Sequence, residues 1–248
     1  MRSILPAFAA LTLLASPAAA QDSKVFVNVN FGFQGLKQEF TQTAEFPLYD
    51  ETATWQAPHD IKGGSIFDIG AGYRVRRNLS LGIAYTARNK RTRDVTLNAS
   101  VPSPVFTDAF RTGNAGVPGL EHSEQQVHLQ ALWHVPVTVE FDVTMFAGPS
   151  FFRVQDDLVR SVSIAETGAD FSSIGLSDVT TVRERNSAVG FNIGIDTRYM
   201  FVRNAGLGAM LRYSRGSADL SDPTGAAPEK LTLDAGGLEI AAGLRFRF

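Results

Sequence analysis

The stretch Leu238–Phe248 reads L-E-I-A-A-G-L-R-F-R-F. Successive side chains of an extended strand point to opposite sides. Leu238, Ile240, Ala242, Leu244, Phe246 and Phe248 therefore share one face, and Glu239, Ala241, Gly243, Arg245 and Arg247 share the other. Such two-residue alternation is the primary signal for a strand with two unlike faces. Here it runs to the last residue, where a soluble domain usually frays into solvent.

The same rhythm recurs seven times upstream. Lys24–Gln34 sets Val25, Val27, Val29, Phe31 and Phe33 against Asn28, Asn30 and Gln34. About Ser65–Val75, Phe67, Ile69, Ala71, Tyr73 and Val75 oppose Asp68, Gly70, Gly72 and Arg74. Further strands are predicted over Leu79–Thr86, Glu124–Val135, Val139–Ala147, Ala188–Tyr199 and Leu207–Tyr213. In the fifth, Glu140, Asp142 and Thr144 share the polar face. Connections after the second, fourth and sixth strands are a few residues long. Those after the other strands are long and polar: Gly35–Gly64, Ala87–Ser123, Arg153–Ser187 and Gly216–Lys230. Strand-like patterns inside them, at Val95–Asn98 and Val179–Arg183, predict that the ladder continues beyond the core strands. The expected fold is all-β, an eight-stranded antiparallel up-and-down barrel. Short turns at one end and long loops at the other are the organisation of outer-membrane barrels.

Targeting and composition agree. Met1–Arg2, the apolar Ile4–Ser16 and Pro17–Ala20 read as a secretory signal peptide over residues 1–20, leaving residues 21–248 as one barrel domain. No apolar run approaches the ~20 residues of a spanning helix. The absence of cysteine excludes a lipid anchor on that residue and any disulfide framework. Without Arg2 the chain has 22 basic residues against 25 acidic ones, which gives no electrostatic case for nucleic acid.

Alternation alone does not say which face is inside. A soluble ligand-binding barrel turns its apolar face inward; a membrane barrel turns it outward. Three features favour the membrane. Tyr73, Trp133, Tyr199, Phe201, Phe246 and Phe248 cluster at the short-turn ends, as an interfacial aromatic girdle would. Ten residues at ~3.3 Å rise and ~40° tilt span about 25 Å, the height of a lipid-facing band. The polar faces mix glycines with balanced charge: Asp68, Glu140, Asp142, Asp196 and Glu239 face Arg74, Arg198, Arg212 and Arg245. Such balance is expected of a charge network across a narrow, dry lumen.

With these residues in view, the chain resembles the small Gram-negative outer-membrane β-barrel family, that is, the OmpA-like transmembrane domain and its stand-alone porin-family relatives. The resemblance rests on the signal peptide, Ala147–Phe152, and Gly236-Gly237 followed by Gly243–Phe248. It implies a place in the cell outer membrane, contact with its lipid and lipopolysaccharide, and termini on the periplasmic side. It also implies that Phe246 and Phe248 form a signal read by the barrel-assembly machinery. The chain ends with the eighth strand, so the periplasmic domain of the full-length OmpA type is not expected.

Chemistry is sparse. Some barrels of this size modify lipid A with His and Ser near the rim, and His122-Ser123-Glu124 supplies those residue types. Adjacent strand residues point to opposite faces, so His122 and Ser123 do not make a base–nucleophile pair. His128 and His134 share a face with Glu140 but lie ~20 Å apart along the strand, too far for shared metal coordination. Neither cofactor nor metal is expected, and no catalytic residue. The basic run Asn89–Arg93 reads either as a contact for lipopolysaccharide phosphates or as a solvated loop. The expected role is structural or surface-interacting, with a lumen filled by charged side chains. A small pore or carrier and a lipid A-modifying enzyme are the alternatives. Oligomeric state and loop partners are not written in these patterns.

Overall fold

A computed structural model describes residues 24–35, 38–167, 171–224 and 230–248. The predicted signal peptide, residues 1–20, lies outside the described residues. Eleven strands follow in order: β1 Val25–Gly35, β2 Gln38–Leu48, β3 Glu51–Ile61, β4 Gly64–Arg76, β5 Leu79–Arg88, β6 Arg91–Pro102, β7 Phe110–Pro136, β8 Phe141–Thr167, β9 Ser173–Met200, β10 Ala205–Ser221 and β11 Lys230–Arg247. Eight of them close a ring of antiparallel neighbours, β1-β4-β5-β7-β8-β9-β10-β11 and back to β1. These are the eight strands that alternation predicts.

Register makes the inside polar. Asn30 lies opposite Gly243 and Asp68, and Gln34 lies opposite Glu239. The apolar face points outward: Phe31 is 67% exposed, and Leu81, Ile83, Ile193 and Ile240 are each more than half exposed. A continuous apolar wall of this kind is far larger than soluble monomers tolerate, and lipid is the solvent that suits it.

Above this band the chain builds a second layer, the head. The β2–β3 hairpin is laddered up to Leu48↔Glu51, β6–β7 up to Pro102↔Phe110, and β8–β9 up to Thr167↔Ser173. The sheet β2-β3-β6-β7 packs on the β8–β9 hairpin around buried Trp55, Leu97, Val101, Val117, Leu120 and Val159. A second cluster, Ile61, Leu158, Leu220 and Leu233, ties β3 and β8 to the β10–β11 hairpin. Three of the connections read from sequence as long and polar are therefore mainly paired strands with an apolar inner face. Their polar residues face outward, and that composition hid the alternation.

The two layers separate where β1 leaves β11. β1 follows β11 only as far as Gly35↔Leu238, whereas β10 follows it to Lys230. Gly236 (φ +96°) and Gly237 (φ +133°) sit at the point of departure, in backbone conformations that a β-carbon disfavours. The Gly236 N–H, turned inward, donates to Glu124 Oε1 at 2.6 Å.

Candidate functional site

The lumen of the band holds a continuous buried polar chain. Alternation on β9, β11, β1, β4 and β10 aims Asp196, Arg245, Asn30, Asp68 and Arg212 inward at similar heights. Arg245 Nε donates to Asp196 Oδ2 at 3.0 Å, and its Nη1 donates to Asn30 Oδ1 at 2.5 Å. The other end of the Asn30 amide donates to Asp68 Oδ1 at 2.8 Å. Asp68 Oδ2 in turn accepts from Thr86 at 2.8 Å and from Arg212 Nη2 at 2.9 Å. Arg212 closes the chain on Glu239 Oε2, from Nε at 2.8 Å and Nη2 at 2.5 Å. Asn30, Asp68, Arg212, Glu239 and Arg245 are at most 2% exposed, and Asp196 is 5% exposed. Leaving any one of these charges unpaired would be costly, so the ion pairs depend on one another.

Packing closes what the charges leave. Phe26, Leu132, Phe146 and Met210 cluster inside the ring. They fit because Gly72 stands against the Phe26 ring and Gly194 against the Phe146 ring, where a β-carbon would collide. A lumenal cavity bounded by Asn30, Asp68, Gln130, Asp196 and Arg212 has about 20 Å³, room for about one water.

Toward the short turns, Arg198 lies 5.2 Å over the Phe26 ring and 3.9 Å from Asp142. His134 bridges Ser80 (2.7 Å) and Thr144 (2.8 Å), and His128 bonds Ser150 at 2.7 Å. Arg74 is half-buried at this end, and its Nε has no partner among the described residues.

Two assignments need correcting. Glu140 is not in the lumen; it is exposed in the turn before β8. The Thr138 hydroxyl accepts from the N–H groups of Glu140 (3.3 Å) and Phe141 (3.0 Å), which delays the strand to Phe141. Alternation counted back from Met145 ran into this turn. Conversely, sequence reasoning missed Arg88 and Glu124, a fully buried pair at 3.5 Å near the top of the lumen. Extending the third strand by one more inward position beyond Thr86 would have found Arg88.

His122 and Ser123 point to opposite faces, as alternation requires. His122 instead bonds Asp156 at 3.1 Å, and Glu124 accepts from Gln126 at 3.0 Å. Tyr73, Trp133, Tyr199, Phe201 and Phe248 are all exposed near the short-turn end, with Phe246 half-buried on the same outward face.

A ring of eight strands, apolar outside and charged inside, is matched by one family model. The model described as the outer membrane protein beta-barrel domain covers residues 7–246. The chain belongs to that family. It is accordingly a protein of the Gram-negative cell outer membrane with a lipid environment around the band. In this family short turns face the periplasm, which makes the head extracellular.

Similar solved structures include the outer membrane protein OprG of Pseudomonas aeruginosa, at 9% identity. The match covers 92% of this chain and 97% of that one, with a TM-score of 0.49. Neisserial surface protein A is 15% identical over 90% of this chain and 97% of its own, with a TM-score of 0.43. The N-terminal barrel of Pseudomonas aeruginosa OprF is 14% identical over 92% and 100%, with a TM-score of 0.40. No curated protein sequence matches the chain.

Proposed function

We propose that the protein is a non-conducting outer-membrane platform that displays a folded extracellular head to partners at the cell surface. The observation that carries this reading is the chain from Asp196 through Arg245, Asn30, Asp68 and Arg212 to Glu239, which crosses the lumen beside a cavity of about 20 Å³. A pore needs a continuous wet path. Small eight-stranded barrels have interiors that side chains can fill. The head supports the display role, because its hairpins bury their own core and so hold a defined outer surface.

Planar bilayers test the reading. The unmodified protein should insert without steady conductance, and Arg212→Ala combined with Glu239→Ala should admit small, flickering currents. A stable open channel in the unmodified protein would reject the platform and promote the pore or carrier.

A further inference from the structure

On one wall the lipid-facing band ends in two rows of side chains that change character in a single step. Tyr85, Val127, Phe151 and Val189 lie side by side across β5, β7, β8 and β9 on the outward face. Two residues higher, Gln125, Arg153 and Ser187 form the next outward row across β7, β8 and β9. Two residues of strand rise about 7 Å, so the apolar wall gives way to a polar one within that distance. A hollow of about 410 Å³ is lined by both rows. Val189, at its lower edge, is 70% exposed.

The short turns face the periplasm, so this end of the band meets the outer leaflet. Above Phe151 the outward face of β8 continues as Arg153, Gln155 and Asp157. Above Val189 that of β9 continues as Ser187, Arg185 and Arg183. The step therefore marks the level at which acyl chains give way to headgroups.

Charge at the headgroup level is uneven. Arg183 is held by Asp157 at 2.8 Å and Glu121 at 2.7 Å, and Lys90 by Glu121 at 3.2 Å. Arg215 on β10 is paired with Asp234 at 3.2 Å. Within the basic run Asn89–Arg93, Arg93 turns inward to Asp156. Arg153 and Arg185 are exposed, and neither has an ion-pair partner among the described residues. Arg185 lies opposite Gln155, which sets it diagonally across from Arg153. Diagonal neighbours on adjacent strands are roughly 7–8 Å apart, so two guanidinium groups there repel each other and converge readily on one anion.

The ligand follows from the two rows. The lower row takes acyl chains. The arginine pair takes a phosphate, whose oxygens suit the planar guanidinium fork. Gln125 and Ser187 flank Arg153 on either side and offer neutral donors and acceptors. Those match the hydroxyls beside a phosphate carried on a sugar.

We propose that the outer wall of β7, β8 and β9 is a binding site for a phosphorylated glycolipid of the outer leaflet. Its phosphate sits between Arg153 and Arg185, and its acyl chains lie over Phe151 and Val189. The site stands independently of whether the lumen conducts or the head has partners.

Native mass spectrometry of the purified barrel released from detergent tests this with three probes: diphosphoryl lipid A, the same lipid enzymatically stripped of phosphate, and phosphatidylglycerol. Diphosphoryl lipid A should bind saturably at one copy per barrel, and more tightly than either of the others. Arg153→Gln combined with Arg185→Gln should weaken it about tenfold. Arg76→Gln combined with Arg77→Gln removes the same charge from exposed positions at the short-turn end and should change binding less than about twofold. Val189→Trp, which fills the hollow from its lower edge, should also weaken binding. Heat-modifiable gel mobility reports that all the variants are folded. Unchanged binding in the Arg153 and Arg185 variant overturns the site, as does an equal loss in the Arg76 and Arg77 variant. Equal binding of the phosphate-free lipid overturns the role of the arginines, and equal binding of phosphatidylglycerol overturns the glycolipid assignment.

Discussion

Strand β10 carries both halves of the molecule on one unbroken alternation. In the band, Leu211 and Tyr213 face outward while Arg212 and Ser214 face in. Two residues later the polarity is exchanged: Arg215, Ser217 and Asp219 face outward, while Gly216, Ala218 and Leu220 are buried. The pleat has not slipped. What changes is the solvent outside, lipid below and water above, and the inside takes the opposite character in each. The band is held by a buried network of paired charges, where each charge needs its partner. The head is held by ordinary apolar burial, which is tolerant of partner identity. The two interiors should therefore respond differently to the same kind of damage.

The largest contrast is within the acidic residues. Glu239→Ala removes the carboxylate that takes two bonds from Arg212 and leaves that charge to Asp68 and Thr86. The loss should be about 3–5 kcal/mol, read from urea unfolding in detergent micelles. Glu140→Ala, in the exposed turn, should stay within about 0.5 kcal/mol of the unmodified protein. Equal losses from the two would mean that the lumen network carries no special weight.

Leu97→Ala asks whether the head melts alone. Leu97 is fully buried in the head core, and its truncation should cost about 3 kcal/mol. The chain has two tryptophans, Trp55 buried in the head and Trp133 exposed on the band. In a Trp133→Phe background, Trp55 emission should shift red at lower urea, while the heat-modifiable mobility of the band stays unchanged. Simultaneous loss of both signals would make head and band a single cooperative unit.

Acid should also weaken the head. Burial, and then the neighbouring Arg93 guanidinium, push His59 down to about 4 from its ordinary 6.5. The unfolded chain thus takes up a proton that the folded head refuses. This contribution is complete above pH 6.5 and is lost as pH falls toward 4. Between pH 7.5 and 4.5 the loss should be about 2.5 kcal/mol. Trp55 unfolding midpoints against pH would show it, and His59→Gln should flatten that part of the profile. A head that gains stability over this range would contradict the buried neutral imidazole.

Much of the band was legible in the chain. Asp68, Arg212, Glu239 and Arg245 were placed on the inner face from alternation, and the structure brings them together. Their partners were not legible. Arg245 pairs with Asp196, and Asn30 joins two ion pairs through one amide, a role that polarity alone does not mark. Glu140 was misplaced because a threonine hydroxyl turned the chain one residue before the strand began. The head was the least legible region. Val95 and Leu97 hinted at a strand, yet nothing local showed that they meet Trp55 from another hairpin.

By itself, the sequence determined the eight ring strands, the alternation of faces along them, and the girdle of aromatics at the short turns. These depend on the two-residue pleat and on side-chain polarity, which are local properties. Only the tertiary structure decided the charge pairings, the apolar core of the head and the place where β1 leaves β11. Each of these requires residues far apart in the chain to arrive at one height of a closed barrel: Arg212 and Asp68 are 144 positions apart. Closure and register set that height, and no single strand contains either.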